Sequence, residues 1–91
     1  MQFEWDEVKE LKNIRKHGID FQTAALVFGD YNRIEWFDAK HSKTEDRYIT
    51  IGLVNKVITV VYTERKDTIR LISARIATRK EQEAYYGENR Y

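Results

Sequence analysis

Basic side chains crowd into one short part of this chain. From Arg65 to Lys80 there are six basic residues and one acidic one, a local charge of +5, while the whole protein is only +1, so everything outside that window sums to −4. Four of them are arginines, Arg65, Arg70, Arg75 and Arg79, set among Ile69, Leu71, Ile72, Ala74 and Ile76. Guanidinium groups on a rigid apolar frame suit a phosphate-bearing partner, because each presents a flat fork of donors that matches phosphate oxygens.

The elements that must carry these side chains follow from the residue pattern. A short first strand covers Phe3 to Trp5. Asp6 caps a helix with Val8, Leu11 and Ile14 on one apolar stripe and Lys12, Arg15 and Lys16 near its end, and Gly18 stops it. Asp20 caps a second, shorter helix carrying Phe21, Ala24, Ala25 and Phe28, which Gly29 ends. Four strands follow, at Arg33 to Phe37, Arg47 to Leu53, Val57 to Glu64 and Ile69 to Ala77, with a polar loop from Asp38 to Asp46. Thr78-Arg79-Lys80-Glu81 has the form of a capping box and opens a final helix. The expected fold is α+β: a short N-terminal strand, two helices, a four-stranded antiparallel meander and a C-terminal helix, in one domain over residues 1–91.

Register sharpens this outline. A four-residue turn at Arg65 to Thr68 pairs Glu64 with Ile69, Tyr62 with Leu71 and Val60 with Ser73. Arg75 then shares the face of Tyr62, and Arg70 lies on the other face, toward solvent or a partner. A two-residue loop at Asn55 would put Ile49, Ile51 and Leu53 on the face of Tyr62; a three-residue loop reverses that. Both remain open, as does the face that the helices cover.

Composition excludes several classes. With 42% hydrophobic and 34% charged residues the chain is an ordinary folded protein and not a disordered one. It has no cysteine, which removes disulfides and thiolate metal sites, and its two histidines are too far apart in sequence to suggest a metal centre. Glu4, Asp6 and Glu7 around Trp5 are unlike a signal peptide, and no apolar run nears the roughly 18 residues of a membrane span. The expected address is the cytoplasm, with no cofactor.

A family resemblance covers nearly the whole chain in order. Phe3-Glu4-Trp5-Asp6, the run from Asn13 to Lys16-His17-Gly18, and Asp20-Phe21 with Ala24 and Val27-Phe28 are similar to the opening of BrnT toxins. Glu45, Arg47, Gly52, Val60 to Arg65, Ile72 to Arg75, Ala77-Thr78, Lys80-Glu81 and Tyr85 resemble the remainder. Thr44 stands before Glu45 where glycine is expected, and Ile76 where a second basic residue often follows the arginine. The resemblance implies a RelE-like fold and the toxin of a bacterial type II toxin–antitoxin pair, a small ribonuclease that halts translation by cutting RNA. It also implies a small antitoxin with a DNA-binding part, in a toxin–antitoxin hetero-oligomer.

Metal-free RNA cleavage sends the ribose 2′-oxygen against the neighbouring phosphate. It needs a base for that hydroxyl, cations for the charge growing on the phosphoryl oxygens, and an acid for the departing 5′-oxygen. Arginine fills the second role and not the first, since it holds its proton. The catalytic candidates are Arg75 and Arg65 as clamps, Glu45 with Arg47 as base and clamp, and Lys16 with His17 as a source of the base. His41 and Glu64 are further possible bases, His41 placed in an exposed loop. Arg79, Lys80 and Tyr62 are candidates for RNA binding, the tyrosine by stacking on a base.

Each has a structural alternative. Arg75 could pair with a carboxylate such as Glu64 or Glu45, Lys16-His17 could cap a helix end, and Tyr62 could be core. Two other functions compete with the ribonuclease: a non-catalytic nucleic-acid-binding module, and a protein-interaction subunit whose basic surface docks an acidic partner. A strong nucleic-acid binder usually carries more net charge than +1.

Overall fold

In the computed structural model, which describes residues 1–88, the chain runs β1 (Gln2–Glu4), α1 (Glu7–His17), α2 (Phe21–Leu26), β2 (Ile34–Phe37), β3 (Tyr48–Val54), β4 (Lys56–Arg65), β5 (Thr68–Ile76) and α3 (Arg79–Glu88). Short 3₁₀ turns follow α2 at Val27–Gly29 and β2 at Ala39–His41. This is the expected α+β order, and β2 to β5 form the expected antiparallel meander. β1 returns to the sheet and pairs parallel with β5, giving the order β1-β5-β4-β3-β2. The sheet is therefore mixed rather than purely antiparallel.

Local chemistry accounts for the helix ends. The Asp6 carboxylate accepts from the Val8 and Lys9 amides at 2.8 and 3.1 Å, and that of Asp20 from the Thr23 amide at 2.6 Å. Gly18 ends α1 in the left-handed region at φ 72°, donating its N–H to the Ile14 carbonyl. At the start of α3, the Thr78 amide donates to Glu81 Oε1 at 2.8 Å and the Glu81 amide to Thr78 Oγ1 at 3.2 Å. That is the capping box, with both halves closed.

Register departs from the sequence expectation at one point. Glu64 pairs with Ile69 and Tyr62 with Leu71, as the turn predicts, but Val61 pairs with Ser73 and Val60 with Ala74. Ile72 is one extra residue, a β-bulge, and beyond it every side chain of β5 changes face. Arg75 therefore sits opposite Thr59, on the face away from Tyr62 and on the same side as Arg70. The expected division of the arginines is overturned. At the other hairpin Leu53 pairs with Val57 around Asn55, whose φ is 61°. Ile49, Ile51 and Leu53 accordingly share the face of Arg75, not that of Tyr62.

The two faces are covered differently. α1 and α2 lie over the Tyr62 face, where Phe21, Ala24 and Val27 pack on Ile58, Val60, Leu71 and Ala74. On the opposite face Tyr85 of α3 and Ala77 pack on Ile51 and Val57, with Ile34 and Ile49 at the margin. α3 leaves the rest of that face open.

α1 is inverted relative to an ordinary amphipathic helix. Its apolar stripe points outward, with Val8 and Leu11 each 61% exposed. Its inward side is polar. Buried Asn13 donates to the carbonyls of Ile19 and Ala74 at 2.9 and 2.8 Å and accepts from the Ala74 amide at 3.1 Å. Glu10 accepts from the Phe21 amide at 2.9 Å. The Asn13 amide thus satisfies the edge of β5 beyond the point where β1 ends, as a neighbouring strand would.

Close approach fixes one glycine. A Cβ at Gly52 would lie 2.8 Å from Val27 Cγ1 and 3.2 Å from the Val27 carbonyl oxygen. Gly52→Ala is expected to lower the unfolding free energy by about 1–3 kcal/mol through overpacking. Gly29→Ala, where a Cβ meets nothing within 4 Å, is expected to stay within about 0.5 kcal/mol of the parent. Urea titration of the two variants measures the difference.

Candidate active site

The open part of the sheet forms a groove of about 270 Å³ lined by Asp38, His41, Arg47, Ile49, Val61, Ile72, Ser73 and Arg75. Its floor is one row across three strands, Ile49, Val61 and Ser73, which are register partners. Arg47 and Arg75 stand to either side of that row. The Ile72 bulge shapes the β5 wall, and the loop between β2 and β3 shapes the other.

Ser42 holds that loop closed. Its hydroxyl donates to the Asp38 carbonyl at 2.6 Å and accepts from the Arg47 amide at 2.9 Å, while the Asp38 amide donates to the Arg47 carbonyl at 2.8 Å. The 3₁₀ turn at Ala39–His41 then brings His41 Nδ1 to 2.9 Å from Asp38 Oδ2. A carboxylate at Nδ1 favours, in the neutral ring, the tautomer with its proton on Nδ1 and its lone pair on Nε2. This carboxylate–imidazole arrangement orients a general base. The Asp38 side chain is 11% exposed and that of His41 59%, which leaves the imidazole open to the groove.

Arg75 is held from behind. Its NH1 and NH2 donate to Glu81 Oε1 and Oε2 at 2.6 and 2.9 Å, a two-pronged pair. The same carboxylate accepts from Thr59 Oγ1 at 3.0 Å and closes the α3 capping box. Hydrogen bonding to Glu81 raises the guanidinium's affinity for its proton. Burial alone would raise the Glu81 carboxyl, but its bonds to Arg75, the Thr78 amide and Thr59 outweigh burial and bring it to about 2. Arg47 is left with donors to spare: its Nε is buried and has no hydrogen-bond partner among the described residues. A guanidinium in a groove wall without a carboxylate partner suits a phosphate oxygen.

Two further depressions continue the groove. One, lined by Lys40, His41, Lys43, Thr44 and Arg47, shares His41 and Arg47 with it. The other, lined by Lys9, Lys12, Asn13, Lys16, His17, Ile72 and Ser73, shares Ile72 and Ser73. Cations line both: Lys40, Lys43 and Arg47 in the first, and Lys9, Lys12 and Lys16 in the second.

The candidates named from sequence separate accordingly. Arg75 and Arg47 meet in the groove, and Lys16 and His17 lie in the adjoining depression. Arg65 and Glu45 pair with each other at 3.5 Å, outside the groove lining. Arg79 is 95% exposed and pairs with Glu83 at 3.6 Å, while Lys80 is exposed at the start of α3. Tyr62 is buried on the helix face at 1% exposure. It packs against Phe28 and Tyr48, donates its hydroxyl to Glu35, and is held protonated by burial and that bond. It is a core residue and is not presented to an RNA base. Glu64 is exposed and outside the groove lining.

Sequence reasoning passed over Asp38 and Glu81 as site residues and ranked His41 low. The capping-box spacing was already visible, but nothing in it said that the same carboxylate would reach Arg75. Asp38 and His41 stand three apart, a separation that brings side chains together only if the loop makes a helical turn.

A family model described as the ribonuclease toxin, BrnT, of type II toxin–antitoxin systems matches residues 5–81. The match takes in every groove residue and ends at Glu81. No curated protein matches the chain.

Glu81 makes the site sensitive to acid. Its carboxyl titrates lower in the fold than its ordinary value of 4.5, so its stabilising contribution is complete above 4.5 and is lost as pH falls toward about 2. Glu81→Gln is expected to lower the melting temperature at neutral pH. The gap from the parent closes as pH drops through that window, as thermal unfolding followed by circular dichroism would record.

Proposed function

From the premise that this chain belongs to the BrnT family of ribonuclease toxins of type II toxin–antitoxin systems, we propose that it cuts RNA without a metal at the Arg47–Arg75 groove. His41, oriented by Asp38, takes the 2′-hydroxyl proton on Nε2. The 2′-oxygen then attacks the adjacent phosphorus and the bond to the 5′-oxygen breaks. The products are a 2′,3′-cyclic phosphate and a 5′-hydroxyl end. Arg47 and Arg75, both in the groove lining, neutralise the charge gathering on the phosphoryl oxygens, Arg75 while its terminal nitrogens stay paired with Glu81. Lys16 and His17, beyond Ile72 and Ser73, supply the proton that the leaving oxygen takes up.

The single observation that carries this reading is the meeting of an oriented imidazole and two guanidinium groups over one row of the sheet. The chain itself supplies a candidate base and charge neutralisers. The basic track on both sides suits a single strand, whose phosphates follow the cations while the bases stay uncommitted. The partner is an antitoxin. We take it to be a small DNA-binding protein that holds the toxin in a hetero-oligomer in the cytoplasm, with translation halted when the toxin is free.

Arg75→Ala is expected to lower cleavage of single-stranded RNA in EDTA by about 10²–10³-fold, and His41→Ala by about 10²–10⁴-fold. Folding is retained in both, and the products of the parent carry cyclic-phosphate ends. Gel assays with end-group analysis test all of this. Full activity in His41→Ala would remove the imidazole from the mechanism. RNA binding by the parent with no cleavage of any RNA would favour a non-catalytic module.

A further inference from the structure

α1 carries its apolar residues on the side away from the protein, and they are left exposed to solvent: Val8 and Leu11 at 61% and Ile14 at 39%. At about 100° per residue, Val8, Leu11, Ile14 and Arg15 fall within one arc of the helix, with Arg15 between Val8 and Leu11 and Glu7 toward the Ile14 end. Arg15 has no acidic partner among the described residues. Lys12 flanks the arc on the side toward the groove.

We propose that this face of α1 is the docking site for an acidic amphipathic segment of the antitoxin. Apolar side chains of that segment cover Val8, Leu11 and Ile14, and a carboxylate meets Arg15. The proposal rests on the reading of the chain as a toxin with a protein antitoxin, and it places that partner on a surface outside the catalytic groove.

Charge chooses the occupant. An apolar ridge offers nothing to the phosphates of a nucleic acid, so RNA alone would leave Val8 and Leu11 wet. A second copy docked α1 on α1 about a two-fold axis sets like charge by like charge: antiparallel helices lay the flank of Lys9, Lys12 and Lys16 beside the same flank of the mate, and parallel ones set Arg15 against Arg15. A segment with carboxylates on its flanks meets neither obstacle. Position then explains inhibition. Lys12 and Lys16 line the depression that joins the groove through Ile72 and Ser73. A segment seated on the ridge overlies that end of the track, so the antitoxin and the RNA strand exclude each other there.

The test uses the full chain and, as probe, the purified antitoxin protein encoded beside its gene. Leu11→Asp is expected to raise the dissociation constant of that complex about 30-fold or more, and Arg15→Glu about tenfold. RNA cleavage by the free variants and their melting temperatures are expected to match the parent. Unchanged affinity in both variants overturns the proposal. So does an isolated parent that sediments as a dimer and becomes monomeric on Leu11→Asp with antitoxin affinity unaltered, since the occupant is then a second copy. If the parent cleaves no RNA and yet loses its partner on Leu11→Asp, the docking surface stands and the ribonuclease reading falls.

Discussion

β5 carries one residue more than its partner strand needs. Between Leu71 and Ser73 the chain inserts Ile72, and the pairing with β4 resumes one step out of phase. Because side chains alternate along a strand, that single insertion moves Arg75 from the helix-covered face to the open one. On an unbroken register Arg75 would stand opposite Ile58, inside the core cluster under α1 and α2, as an unpaired buried charge. With the insertion, Ser73 completes the groove floor and Ile72 lines both the groove and the neighbouring depression. The place of Arg75 in the groove and the border between α1 and the groove both depend on this local fault.

A charge brought onto an open sheet still has to be aimed, and Glu81 does this. One carboxylate accepts from both terminal nitrogens of Arg75, from Thr59 and from the Thr78 amide. The first turn of α3, the middle of β4 and the end of β5 are thereby joined at one polar point. The helix cap and the anchoring of Arg75 share one carboxylate, so strengthening one holds the other. The opposite wall uses the same economy on a loop, where Ser42 closes the backbone and Asp38 fixes the imidazole. Asp30 plays a related structural part, accepting from Tyr85 of α3 at 2.5 Å and from the Leu53 amide at 2.8 Å.

The arrangement of α1 gives the toxin two distinct surfaces. Its polar side is spent on finishing the edge of β5 through Asn13 and on receiving α2 through Glu10. Its apolar side is left outward, a costly placement for a protein that acts alone and a reasonable one for half of a complex. The groove and this ridge meet at Lys12 and Lys16, so occupancy of one bears on access to the other.

Much of this was legible in the residues themselves. Asp6, Asp20 and Gly18 marked helix ends, alternation marked the strands, and Thr78 with Glu81 marked the start of α3, because caps and periodicity act over a few residues. The arginine-rich window and the ordered family residues point to phosphate chemistry, with Arg75 and Arg47 among them. Tertiary structure alone decided the rest. The face on which Arg75 stands turned on a bulge with no local signature, and the role of Tyr62 on which face the helices cover. The partner of Arg75 was not Glu64 or Glu45 but Glu81, brought back by the turn into α3. His41 gained its orienting carboxylate only when a polar loop closed on Ser42. Short-range chemistry writes elements into a sequence, but faces, registers and the neighbours of a charge are set by contacts between residues far apart in the chain.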